Sequence, residues 1–158
     1  MVRTPRCPIH WISTPRRGVT SRALAAHATQ LTPRVTDVLY LAALLVFVLG
    51  VAHSVLGERY ILVRLFRRDD LPKLFGSSWF TTRTLRFAWH ITTLTWFGIA
   101  AILWQLARGM LTPVATAQII GFTCIACGIL PLALTRGRHL SWVVFFAVGA
   151  LTLCWSAA

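Results

Sequence analysis

The chain has 158 residues, of which 56% are apolar and 13% charged, with sixteen Lys and Arg against only four acids. A water-soluble domain of this length has too little interior for so much apolar side chain, so composition argues against an ordinary soluble fold and for a membrane protein. A sequence pI near 11.6 would suit nucleic acid, but the cations lie outside the apolar runs. That is the pattern of cytoplasmic loops and anionic headgroups, and no nucleic-acid partner is expected.

Residues 1–34 carry Arg3, Arg6, Arg16, Arg17, Arg22 and Arg34, many Ser, Thr and Pro, and no acid. This composition predicts a disordered basic tail. It also matches an organellar transit peptide, and a third reading makes it an extension upstream of a structural part that begins near Val35. The expected domain is then 35–158, an all-α, four-helix transmembrane domain.

The first apolar run covers about 36–56, with Asp37 at its start and His53 and Ser54 near its end. At about 1.5 Å per residue this crosses a hydrocarbon core. The connection from 57 to 84 has structure of its own. In Arg59–Arg68 the apolar Ile61, Leu62, Leu65 and Phe66 share a face while Arg64, Arg67 and Arg68 reach for headgroups. This predicts an interfacial helix continuing from the first span, stopped by Asp69, Asp70 and Pro72, with a turn over 71–82 leading back to the membrane.

The second span is expected at about 85–107, the third at about 114–134 and the shorter fourth at about 140–156. Arg108, Gly109 and Pro113 make a short turn between the second and third, and Thr135–His139 a tight basic turn between the third and fourth. Such short links force antiparallel neighbours, so an up-down bundle follows.

Nine of the ten Lys and Arg beyond the tail lie in the 1–2 and 3–4 connections or at their edges, and Arg108 alone lies on the opposite side. Those two loops are therefore expected in the cytoplasm, in a multi-pass protein of the cell inner membrane; a retained tail would blur the asymmetry. Trp89 and Trp142 fall near the loop-rich helix ends, and Trp104 and Trp155 near the other ends, where indoles settle at headgroup level.

Ionisable groups inside a span are costly and point to function. Counted from the helix ends, His53 and His90 fall at similar depth in an antiparallel hairpin. Facing imidazoles could ligate haem b without covalent attachment, bind a metal or relay a proton. The competing reading is that each is neutral and hydrogen-bonded to a neighbouring helix. Glu58, Arg59, Arg86 and His139 belong to the same loop-side cluster, where Glu58 is expected to close an ion pair rather than catalyse.

Cys7, Cys124, Cys127 and Cys154 show no disulfide spacing. Cys124 and Cys127 fit a Cys-x-x-Cys pattern, but mid-span hydrocarbon offers no cation or helix N-terminus to activate a thiolate. Small residues at four-residue spacing, Ala117 with Gly121 and Cys124 with Gly128, explain that helix better as a packing face. No catalytic residues are assigned, since no phosphate-binding glycine loop, carboxylate pair or nucleophile with a base is present.

His53-Ser54-Val55-Leu56-Gly57-Glu58-Arg59-Tyr60 and Arg86-Phe87-Ala88-Trp89-His90 resemble segments of small, uncharacterised bacterial inner-membrane proteins of four helices. The resemblance covers roughly residues 35–158 and implies architecture and location, with no activity to transfer. Two functional classes follow. The first is a non-enzymatic accessory subunit that binds anionic lipid and a membrane-protein partner or a second copy. The alternative is a haem- or metal-binding redox protein using His53 and His90. A transporter or channel would require an oligomer, because four short helices offer little polar lining.

Overall fold

The computed structural model describes the backbone of residues 21–158 and the side chains of residues 35–158. Among the described residues the chain is all-helical. Helix α1 (Ser21–Leu56) runs on without a break as a π-helical stretch, Gly57–Leu62, and one last α turn, Val63–Leu65. It is followed by α2 (Trp79–Ala107), α3 (Pro113–Thr135) and α4 (Ser141–Ala157). The helix thus begins at Ser21, inside the stretch set apart above as a tail. Residues 1–20, and the expectations attached to them, lie outside the described residues.

Each boundary has a local cause. The first helix closes with Phe66 N–H bonded to Leu62 O at 2.9 Å and Arg68 N–H to Leu65 O at 3.2 Å, just before the expected stop at Asp69, Asp70 and Pro72. The Arg68 guanidinium grips Asp70 through Nε at 2.9 Å and Nη2 at 2.7 Å. This hydrogen-bonded contact holds the Asp70 carboxyl below its ordinary range. The chain then turns through Phe75 and Gly76, with φ of 55° and 83°.

Helix α2 starts at Trp79, ahead of the expected 85. The stretch Thr81-Thr82-Arg83-Thr84 is polar and does not register as apolar span. It is nonetheless helical, and Thr82 N–H already bonds Ser78 O at 2.9 Å. A helix that carries cations at its end can continue past the hydrocarbon edge, because long basic side chains reach water from there.

Thr112 caps α3. Its extended backbone (φ −112°, ψ 162°) leads into Pro113 at the first helical position, and its hydroxyl accepts Ala115 N–H at 3.0 Å. At the other end Arg136 (φ 53°) and Gly137 (φ 76°) take left-handed conformations, and Gly137 N–H returns to Leu132 O at 2.9 Å. Thr135, with no exposed surface, ties this turn together: its hydroxyl accepts His139 N–H at 3.1 Å and donates to Pro131 O. Thr135→Val keeps the shape and deletes both bonds, leaving the His139 N–H without its acceptor. The expected loss is about 1–3 kcal/mol in reversible unfolding in detergent, and wild-type stability would contradict this role for Thr135.

Neighbouring helices run antiparallel. Along α1 and α2 the ring pairs Tyr40–Trp104, Phe47–Phe97 and His53–Trp89 step in opposite directions, with centroids 4.9, 4.9 and 4.3 Å apart. Helices α2 and α3 meet where Gly98 faces Thr123 and where Cys127 Sγ lies 4.0 Å from Ile91 O. Helices α3 and α4 meet at Gly121 against Leu153, Gly149 against Ile125 and Gly128 against Phe146. A methyl at Gly121 would come within 2.6 Å of Leu153 Cγ and one at Gly128 within 2.6 Å of Phe146 Cδ1, so glycine sets the closeness of this pair.

The apolar side chains mostly face outward. The buried hydrophobic residues are few and small for the most part (Ala43, Ala100, Ala107 and Cys127 beside Leu62 and Phe87), whereas Leu44, Leu45, Val48, Phe122, Val144 and Leu151 are exposed. Three helices, Val35–Leu65, Trp79–Ala107 and Pro113–Thr135, are long and apolar enough to cross a membrane; α4 is apolar and shorter, at 17 residues.

Candidate functional site: a polar cluster between the first two helices

The loop-side ends of α1 and α2 hold an interlocked set of polar groups. Its logic follows from helical periodicity. Ser54 and Glu58 are four residues apart and share one face of the first helix, while His53 and Gly57, one position back, share the adjacent face. On α2, His90 meets the first pair. Trp89, Thr92 and Trp96, at i, i+3 and i+7, meet the second.

In the first group, His90 Nδ1 lies 2.8 Å from Ser54 Oγ and His90 Nε2 lies 3.4 Å from Glu58 Oε2, while Arg86 Nη2 lies 2.7 Å from Glu58 Oε1. A carboxylate only accepts, so His90 offers Nε2–H to Glu58, and in the neutral ring Nδ1 then accepts the Ser54 hydroxyl. Both ring nitrogens are thereby occupied. Arg86 also lies over the Phe66 ring, with Cζ 5.1 Å from the centroid, and its buried Nε has no hydrogen-bond partner.

In the second group the His53 ring stacks on Trp89, 4.3 Å between centroids and 4° from parallel, with Trp96 tilted against it at 5.1 Å. The Thr92 hydroxyl donates to Trp89 O at 2.6 Å, so at 2.9 Å from His53 Nε2 it accepts. In the neutral ring this makes His53 the Nε2–H tautomer.

A π-helical turn organises both groups. From Gly57 the backbone spacing widens, with Val63 N–H bonded to Glu58 O. The Trp89 indole N–H donates to His53 O, one turn before this stretch, at 3.1 Å. The indole occupies the space a side chain at Gly57 would need.

The other residues singled out by sequence lie elsewhere. Arg59 is exposed, with Cζ 5.9 Å from the Tyr60 ring. His139 belongs to the α3–α4 turn: its Nδ1 is 2.9 Å from Ser141 Oγ and its ring packs edge-on to Phe87 at 4.8 Å. Gly121 and Gly128 contact α4, Cys124 lines a shallow apolar groove with Cys127, and Ala117 is half-buried. Ser54 and Thr92 were missed as partners of the two histidines. Their positions, one after His53 and two after His90, were the available signal.

His53 and His90 therefore lie in the same helix interface but take separate partners. Axial ligation of haem requires a free nitrogen lone pair on each imidazole. In this arrangement only His53 Nδ1 is open, because Ser54 and Glu58 engage both nitrogens of His90. Among the described residues no group of three or more His, Cys, Asp or Glu is gathered as a metal would need. What the cluster can do chemically is hold α1 and α2 in register at a fixed rotation. No family model, curated protein or solved structure matches this chain.

Proposed function

We propose that the chain is a multi-pass inner-membrane protein, a four-helix up-down bundle, that works by binding rather than by catalysis, as an accessory subunit of a larger membrane assembly. The observation that carries this reading is the poor burial of α1. Only 11% of its most apolar window is buried, against 22% and 28% for α2 and α3, so of these three long helices α1 leaves the most surface for another helix. Ring contacts hold it to α2. Beside them runs an apolar groove of about 470 Å³ lined by residues that include Ala43, Leu44, Phe47, Phe97 and Trp104.

Non-enzymatic function is supported by the way the polar groups are used. Ser54 and Glu58 engage both nitrogens of His90, Arg86 Nη2 binds Glu58, Thr92 engages His53 Nε2 and Trp89 binds the His53 carbonyl. The arginine-rich connections suit the cytoplasmic headgroup region.

Photo-crosslinking from Phe47 and Val48 in intact membranes tests the reading. The expected product joins this chain to a second membrane polypeptide or to another copy of itself. If every crosslink goes to lipid and the detergent-purified protein stays monomeric with nothing co-purifying, the accessory-subunit reading fails.

A further inference from the structure

Three guanidinium groups converge on one indole. The Cζ atoms of Arg83, Arg136 and Arg138 lie 5.7, 5.9 and 5.6 Å from the Trp79 ring centroid. Ser77, Trp79, Arg136 and Arg138 line an open, mostly polar hollow of about 220 Å³ beside it. By volume that is room for roughly seven waters.

The geometry is fixed from below. Arg136 and Arg138 flank Gly137 in the left-handed turn that buried Thr135 pins, and Arg138 N–H bonds Thr135 O at 3.2 Å. Trp79 opens α2, where Ser78 gives no side-chain cap. The N-terminal end of this 29-residue helix, the positive end of its dipole, therefore begins at the residue that lines the hollow.

Glu58 is engaged by Arg86 and Asp70 by Arg68. Among the described residues no carboxylate pairs with Arg83, Arg136 or Arg138, whose guanidiniums lie against the ring. Cation–π contact orients the guanidiniums and leaves their forked N–H groups unspent. Like charges held together without a counter-charge repel, and an oxyanion with several acceptor oxygens relieves that cost. Trp142, whose Nε1–H bonds Gly137 O at 3.2 Å, adds an indole at the same turn, as expected at headgroup level.

We propose that Ser77, Trp79, Arg83, Arg136 and Arg138 form a binding site for the phosphate group of an anionic phospholipid. This rests on the membrane reading above, which places the turn at the headgroups. It adds a defined site and ligand chemistry to a general attraction of basic loops for the leaflet.

The test uses the full chain in a neutral detergent and measures lipid binding by native mass spectrometry. Dioleoyl phosphatidic acid is compared with dioleoyl phosphatidylcholine, with inorganic phosphate as a competitor. Phosphatidic acid is expected to bind at least about tenfold more tightly, and Arg136→Gln/Arg138→Gln to remove that preference by about tenfold. Arg64→Gln/Arg67→Gln, with the same loss of charge outside the hollow, is expected to change it less than about twofold. Arg136→Lys/Arg138→Lys retains the charge without the planar fork and should fall between. It also covers the case in which the glutamine pair does not fold.

Equal losses from both glutamine pairs, or no loss from the Arg136/Arg138 pair, would overturn the site. Displacement of the lipid by inorganic phosphate at matched ionic strength and equal concentration would overturn the lipid assignment. Failure of the membrane reading is separately visible, since the protein would then be folded and monodisperse without detergent.

Discussion

Gly57→Val, in the π-helical stretch, is expected to lower the thermal midpoint in detergent by more than Gly50→Ala in α1. A Cβ at position 57 would overlap the Trp89 indole at Nε1, Cε2 and Cζ2. That indole cannot swing aside, because it stacks on His53 at 4.3 Å and donates to His53 O at 3.1 Å. Relief therefore requires α1 to move off α2 or Trp89 to leave the interface. Overpacking of this kind costs about 1–3 kcal/mol, and the indole hydrogen bond is lost in addition. Gly50→Ala is the useful comparison. Its Cβ would meet Phe97 Cε1 at 2.8 Å, the outer edge of a ring that can rotate, and a smaller loss is expected. Equal midpoints for wild type and Gly57→Val would show that Trp89 is not locked as described.

Glu58→Ala is the second substitution with a large expected effect. It removes the only carboxylate in the cluster, leaving Arg86 without its 2.7 Å partner and His90 Nε2–H without an acceptor. The pair is neither buried nor free, with side-chain exposures of 31% for Arg86 and 33% for Glu58. Solvent screening therefore places the cost below that of a fully buried pair, at about 1–2 kcal/mol. Glu58→Gln, which keeps the shape and one acceptor, should recover part of it. A double-mutant cycle with Arg86→Ala should return a coupling of about 1 kcal/mol, and a coupling of zero would mean that the two side chains act independently.

How far the sequence reveals this structure depends on where its signals are local. The third helix, expected at about 114–134, runs Pro113–Thr135, because Thr112-Pro113 and Arg136-Gly137 are explicit start and stop signals. The second begins at Trp79, since a helix that extends into a polar, arginine-bearing turn carries no hydropathy signal there. The π-helical turn at Gly57–Leu62 has no sequence signature. Trp89 from another helix packs against Gly57, where it begins.

The same distinction holds at the site. The similar depth of His53 and His90 can be read by counting from helix ends, but rotation about each axis cannot. Helical rotation of about 100° per residue puts Ser54 and Glu58, rather than His53, in front of His90. That Glu58 closes an ion pair was legible, because each charge near a span needs a counterpart, but its choice of Arg86 among the nearby arginines was not. The convergence of Arg83, Arg136 and Arg138 on Trp79 was not, since it joins a helix N-terminus to a turn more than fifty residues away.

Everything functional proposed for this chain depends on lipid as the surroundings of Leu44, Leu45, Val48, Phe122, Val144 and Leu151, which the fold leaves exposed. The most direct measurement is fractionation of cells broken without detergent, followed by an alkaline carbonate wash of the membranes. The intact polypeptide is expected to stay in the washed membrane pellet and to enter solution, helical and monodisperse, only with a mild detergent. Recovery of the folded chain in the aqueous supernatant would contradict the account.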